Sequence, residues 1–238
     1  MSNTKNNIIG SGLLARAFSS KNINFENACI YAAGVSNSFC KDSSEFLRER
    51  NRLKLSLEQA DNFQLFIYFG TCSVYDKEAK NTPYVLHKLE MEKLVSEHPN
   101  YLILRLPQVA GRTENPHTLL NYLHARIARS EAFCLWSDAK RNIIDVDDVA
   151  LMTNYLITDT SIRNKVVNIA NSVNYSMLEI VSSMEKVVGK RAIYQIESRG
   201  SEYYINIDDT LPLIESAALK FDDTYLLKVM KKYYDHNN

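Results

Sequence analysis

The sequence has 238 residues, with 28 Lys and Arg balanced against 28 Asp and Glu. A chain of that length buries one substantial core with room for a small second lobe. The even charge excludes a bulk basic field that would draw it onto nucleic acid or anionic lipid. The four cysteines, Cys29, Cys40, Cys72 and Cys134, are scattered without a C-x-x-C pair or a Cys/His cluster, which predicts a reduced compartment and no metal. The opening MSNTKNN lacks the apolar run of a signal peptide, and no segment approaches the ~18 uninterrupted apolar residues of a membrane span. The expected location is cytoplasmic, with neither membrane nor nucleic acid as partner.

In chain order, apolar runs of strand length alternate with segments of helical period, the pattern of an α/β fold with parallel strands and crossover helices. The first strand is expected at Asn7 to Gly10 and opens into IIGSGLLARAF, where Gly10, Gly12 and Ala15 form G-x-G-x-x-A. The first glycine permits a tight turn, the second lets backbone approach a pyrophosphate, and the small third residue lets helix and strand pack closely. Two glycines would equally serve any tight strand-to-helix turn. After the short KNINFENA the chain is already in ACIYAAG, with a strand expected over Cys29 to Ala33. No room is left for the strand whose tip normally reads the adenosine ribose.

Further strands are expected at Leu65 to Gly70 and Tyr101 to Leu106, apolar on both faces as buried parallel strands are. Between them, SSEFLRERNRLKLSLEQA places Phe46, Leu53 and Leu57 on one helical face. TPYVLHKLEMEKLVSE begins with Thr82 as N-cap and Pro83 at the first helical position, and its period predicts Leu86, Leu89 and Leu94 facing inward. After DVDDVALMTNYLI come a strand (KVVNIAN), a helix (SMLEIVSSMEKVVG), a strand (AIYQIES) and a last helix (DTYLLKVMKKYYD). This predicts a Rossmann-like region over residues 1–160 and a small C-terminal substrate lobe over 161–238, in one compact unit.

The chemistry concentrates in FGTCSVYDKEAKNTPYVLHK. Thr71 ends a strand, and Tyr84 and Lys88 lie four apart on the next helix, so both can reach one cavity. A tyrosine is a poor acid at neutral pH, but a nearby ammonium favours its phenolate and eases proton exchange. Alone, a Tyr-Lys pair at this spacing also occurs on any helix surface. Asp147 and Asp148 open a helix, where the helix dipole favours acids, and are read as structural. The histidines form no ligand cluster, and His87 reads as an ordinary helix residue.

Taken together these residues resemble the extended short-chain dehydrogenase/reductases, the NAD-dependent epimerase/dehydratase group that modifies nucleotide-activated sugars. IIGSGLLA stands at the family's glycine turn, YAAGVSNS at its loop beside the cofactor, TCSVYD at its Ser/Thr before Val-Tyr-Gly, and YVLHK at its Y-x-x-x-K. LRLPQVAGR and RNIIDVDDVA are close to its later signatures. The resemblance implies a doubly wound parallel sheet lacking the second and third strands. It implies Thr71, Tyr84 and Lys88 as catalytic residues, with Asn51 supporting the lysine. For the cofactor, NADH or NADPH, it implies contacts from Gly10, Ser11, Gly12, Leu13, Leu14, Ala33, Gly34, Tyr84, Lys88 and Pro107. Cys72, Ser73, Gln108 and Arg141 would meet a nucleotide-sugar substrate, Arg141 at its pyrophosphate; a surface salt bridge is the other reading of Arg141. A homodimer is allowed.

The missing segment shapes the expected reaction. Epimerases and dehydratases retain their cofactor through a cycle, whereas a reductase releases it each turnover, and a shortened adenosine site suits release. Cys72 and Ser73 stand where a 4,6-dehydratase would have acids. The shortened form most resembles reductase domains of capsule and O-antigen sugar-nucleotide biosynthesis, so a keto-sugar-nucleotide reductase is expected. An epimerase of the same family and a non-catalytic nucleotide-binding sensor are the alternatives.

Overall fold

The structure is a computed structural model and describes residues 7–20, 27–60 and 64–235. MSNTKN, most of KNINFENA and His236 lie outside the described residues.

The elements run β1 (Ile8–Ile9), α1 (Leu13–Ser20), β2 (Ala28–Tyr31), α2 (Ser43–Gln59), β3 (Leu65–Thr71), α3 (Pro83–Val95), β4 (Tyr101–Leu106), β5 (Gln108–Ala110), α4 (Leu119–Ala128) and β6 (Phe133–Trp136). They continue with β7 (Lys140–Asp145), α5 (Val146–Thr158), β8 (Lys165–Asn168), β9 (Asn174–Ser176), α6 (Met177–Val188), β10 (Tyr194–Glu197), α7 (Leu211–Ser216) and α8 (Tyr225–Tyr234).

The main sheet is parallel throughout, in the order β1-β2-β3-β4-β8. Its strands alternate their side chains between two buried faces. Ile30, Ile67 and Leu104 turn to one face, beneath α1 and α5, with Phe18, Val149 and Met152. Tyr31, Phe66, Tyr68 and Ile103 turn to the other, where α2 and α3 supply Leu53 and Met91. Among the described residues β1 pairs only with β2, so the first strand is an edge strand. Residues 21–27 between α1 and β2 are too few for a further parallel strand with its crossover, which needs ~10–12 residues.

Local signals act as read. The Thr82 hydroxyl accepts a hydrogen bond from the Val85 N–H, and Pro83 occupies the first turn of α3. Asp145 caps α5 by accepting from the Asp147 N–H, and Lys232 of α8 reaches both Asp145 and Asp147 at 2.6 Å. Tyr225 donates to Asp148 at 2.6 Å and accepts from the Asp145 N–H. The acidic run therefore clamps the C-terminal helix onto the end of β7.

One expectation is corrected. The inward face of α3 carries Tyr84, His87, Lys88, Met91, Glu92 and Val95, while Leu86 and Leu89 are exposed. The polar members of that face have buried partners, which the leucine period does not reveal. β8 is the fifth strand of the main sheet, and the second lobe joins α4, β6 and β7 to α6 and α8 around Leu123, Leu135, Ile143, Ile180 and Met230. Strand pairing, which chain order does not carry, decides the partition.

The turn at Gly10 has φ +134°, and a Cβ there would sit 2.3 Å from the Ala32 carbonyl oxygen; at Gly12 it would meet nothing within 4 Å. Gly10→Ala is expected to lower stability by about 1–3 kcal/mol, and Gly12→Ala by less than about 0.5 kcal/mol. Urea unfolding of the two variants checks the difference; equal midpoints would contradict it.

Candidate active site

The expected site residues gather at the carboxyl edge of the parallel sheet, where open α/β sheets bind their ligands. Gly10 follows β1 and packs against the backbone of Ala32 and Ala33 just after β2. Thr71 ends β3 opposite Leu106, and Pro107 follows directly. Ser11 and Gly12 are exposed, and Leu13, Leu14, Ala33, Gly34 and Pro107 are half-buried, so the edge remains accessible from the turn to β4.

At the centre, the Thr71 hydroxyl stands beside the Tyr84 phenol. The Thr71 hydroxyl also accepts from the Ser73 N–H at 3.1 Å, which fixes its rotamer. Burial pushes the Tyr84 phenol above the ordinary tyrosine value, and the Lys88 charge and the Thr71 hydrogen bond offset only part of this. The phenol therefore carries its proton at neutral pH.

Lys88 lies one turn beyond Tyr84 and is enclosed by protein. Its Nζ donates to Glu49 Oε1 at 3.1 Å and to the Tyr68 hydroxyl at 3.0 Å, and reaches the Phe69 carbonyl at 3.4 Å. Glu49 has a side chain fully removed from solvent, at 0% exposure. Its Oε1 accepts also from the Tyr68 hydroxyl at 2.8 Å, and its Oε2 meets the Val35 N–H at 2.6 Å and His87 Nε2 at 3.0 Å. Burial alone would raise this carboxyl, but Lys88 and the hydrogen bonds from His87, Val35 and Tyr68 outweigh it and hold it well below the usual carboxylate range. His87 is thus no ordinary helix residue: its ring stacks on Phe46 with centroids 4.5 Å apart and packs its edge on Glu49.

α2 presents Glu49, not Asn51, to Lys88; Asn51 is exposed on the outer side of the helix. Sequence reasoning passed over Glu49, although its spacing from Phe46 and Leu53 puts it on the apolar face of α2. A charge on that face is the signal that could have found it.

On the substrate side, Cys72 is fully buried against Ala170 and Ile205, with Tyr203 and Ile207 packed on it. Its thiol is covered by the segment after β10, so it has no open surface to offer a ligand. Ser73 and Gln108 are half-buried. The Arg141 guanidinium donates to the Lys140 and Ser201 carbonyls at 2.8 and 3.2 Å. Ser201 in turn donates to the buried Asp76 at 3.0 Å, tying the same segment to the loop after β3. Among the described residues no cluster of three His, Cys, Asp or Glu is placed to hold a metal, and no helix is long and apolar enough to cross a membrane.

The model of the NAD dependent epimerase/dehydratase family matches residues 14–170, well over half of the sequence. The chain belongs to that family. Among solved structures, the UDP-glucuronic acid 4-epimerase of Bacillus cereus, in complex with NAD, is similar at 22% identity with a TM-score of 0.70, covering 87% of this chain and 71% of that one. The dTDP-glucose 4,6-dehydratase of Bacillus anthracis, also with NAD, is similar at 16% identity and a TM-score of 0.63, covering 84% of this chain and 72% of that one. RMD from Pseudomonas aeruginosa, complexed with NADPH, is similar at 16% identity and a TM-score of 0.64, covering 89% and 81%. No curated protein matches the sequence.

Breaking a buried ion pair from one side leaves the other charge uncompensated. Glu49→Ala is therefore expected to cost about 3–5 kcal/mol. Because the folded Glu49 is held below its unfolded value of about 4.3, its contribution is present above that pH and is lost as pH falls toward the folded value. Denaturant unfolding of wild type is expected to weaken below about pH 4, and that slope should be shallower in Glu49→Ala. Equal stability of the two proteins at pH 7 would contradict the ion pair's role.

Proposed function

We propose that this chain is an NAD(P)H-dependent reductase of keto-sugar nucleotides, serving surface polysaccharide assembly. The observation that carries the reading is the buried Tyr84 phenol beside the buried Thr71 hydroxyl at the carboxyl edge of the sheet. Reduction of a ketone needs a proton donor at the oxygen that becomes an alkoxide, and a neutral phenol is that donor. An oxidising half-cycle would need the same group as a base. Thr71, held by Ser73, orients the carbonyl oxygen toward Tyr84.

The residues present fit a dinucleotide at the glycine turn, where Gly12 faces open space and the first N–H groups of α1 are directed at the turn. Gly10 to Leu14 would hold its phosphates, and Ala33, Gly34 and Pro107 would line the nicotinamide end. When bound it supplies the hydride. With β1 at the sheet edge among the described residues, no described strand tip lies beyond it to grip the adenosine ribose, which favours an exchanging cofactor over a retained one. That similar structures carry NAD or NADPH supports the choice of cofactor class without choosing between the two.

Tyr84→Phe tests this directly. Assayed with nucleotide-linked keto-sugars and excess NADH or NADPH, turnover is expected to fall ~10²–10⁴-fold while dinucleotide affinity by calorimetry stays near wild type. Unchanged turnover would remove Tyr84 from the chemistry, and wild-type protein that purifies with stoichiometric NAD would favour the epimerase instead.

A further inference from the structure

A second concave region lies apart from the Tyr84 edge. Between α1, the loop after β5, α4 and the end of α8 opens a cleft of about 710 Å³, whose lining includes Arg16, Arg112, Glu114, His124 and Tyr234. Its walls are fixed by packing and by Asn121. The buried Gly111 at its base sits so close to α1 that a Cβ there would lie 2.5 Å from Leu13 Cδ1. The Asn121 amide donates to the Thr113 and Asn115 carbonyls, both at 2.8 Å, and its Oδ1 accepts from the Tyr234 hydroxyl at 2.6 Å. The His124 and Tyr234 rings, with centroids 5.1 Å apart, give the cleft an aromatic wall.

Two cations from distant parts of the chain meet in this cleft. Arg16 donates through Nη1 to the Ser11 carbonyl at 3.2 Å and through Nη2 to the Arg112 carbonyl at 3.0 Å, which holds its guanidinium in place without neutralising it. Among the described residues neither Arg16 nor Arg112 has a carboxylate partner, and Glu114, the one acid of the lining, pairs with neither. The lining therefore keeps a net positive charge. Both arginines are exposed, so a ligand reaches them without rearrangement of the fold. A guanidinium is a planar fork that matches phosphate oxygens, and an aromatic wall beside it offers a flat face to a ring.

We propose that this cleft is a binding site for a nucleoside diphosphate, separate from the Tyr84 site: Arg16 and Arg112 take the phosphates, and the His124 and Tyr234 rings take the base. The cleft volume lies within the ~300–1,000 Å³ of small-molecule sites. The loop after β5 runs between the two regions. Arg112 stands on its cleft side, while Asn115 donates to the Ser36 hydroxyl at 3.1 Å, beside the loop after β2. The site goes beyond the reductase reading and needs nothing from it, since none of its residues belongs to the Tyr84 site.

The test is a titration of the full chain, labelled with ¹⁵N at arginine Nε and followed by NMR, with the Arg112 signal assigned through Arg112→Lys. UDP and ADP are the probes, with inorganic pyrophosphate as the ring-free comparison and millimolar NADH present throughout. The Arg112 signal is expected to shift saturably, with half-saturation at or below about 1 mM, and pyrophosphate is expected to bind at least about fivefold more weakly than either nucleotide. No saturable shift at millimolar nucleotide would overturn the proposal, and pyrophosphate binding as tightly as UDP and ADP would overturn the nucleoside assignment. Arg141→Ala, on the expected substrate side, separates the two regions: the Arg112 titration is expected to keep its midpoint, whereas its loss would mean that the nucleotide acts from the Tyr84 edge. Reversal of the shift as NADH is raised would give the cleft to the dinucleotide and equally overturn it. Failure of the reductase reading would appear separately, as no oxidation of NADH or NADPH by the wild-type protein with any keto-sugar nucleotide.

Discussion

The buried ion pair between Glu49 and Lys88 is the constraint on which the rest of the site depends. Its hydrogen bonds join α2, α3, β3 and the loop after β2: Tyr68 and Lys88 on one carboxylate oxygen, Val35 and His87 on the other. Tyr31 adds a bond from β2 to the Glu49 carbonyl at 3.2 Å. A charge pair this deep is stabilising only when every lone pair and proton is used, since the desolvation penalty otherwise exceeds the attraction. That requirement fixes the rotation of α3 about its axis. With Lys88 pointing into the sheet, Tyr84 one turn earlier must face Thr71, and Leu86 and Leu89 must face outward.

The shortened sheet works in the same direction. Among the described residues β1 joins the glycine turn to the sheet through β2, and the close contact of Gly10 with the Ala32 carbonyl sets its distance from that strand. At the opposite end, the loop after β3 is held by Asp76 to Ser201, and Arg141 is held to the same segment. The second lobe is thereby tied down beside Thr71, and the α8 clamp through Asp145 and Lys232 keeps it there. The Tyr84 side of the edge is built from buried groups, while on the other side the described sheet ends at β1.

Much of this was legible in the sequence because it is written in local chemistry. The three central strands follow from apolar runs at Ile30, Ile67 and Leu104, the start of α3 from Thr82 and Pro83, and the gathering at the sheet edge from the ordered glycine, TCSVY and YVLHK segments. What escaped is what depends on a distant partner. Glu49 reads as one more charge in RERNRL until Lys88 and His87 are brought beside it. Asn51, two positions on, is turned to solvent by the helical rotation that buries Glu49. Cys72 sits at the expected strand end, but its cover comes from Ile205, far along the chain. β8 likewise returns to the main sheet after the chain has already built half of the second lobe.

The central claim is that this edge transfers a hydride outward to a sugar and lets the spent dinucleotide go. The most direct measurement is isotopic: turnover of a nucleotide-linked keto-sugar with excess NADH or NADPH deuterated at C4, using each of the two C4 epimers, followed by mass analysis of the sugar product. The account predicts one deuterium per product molecule with one of the epimers, and one dinucleotide oxidised for each. A product without deuterium from either epimer, formed with no net oxidation, would contradict it.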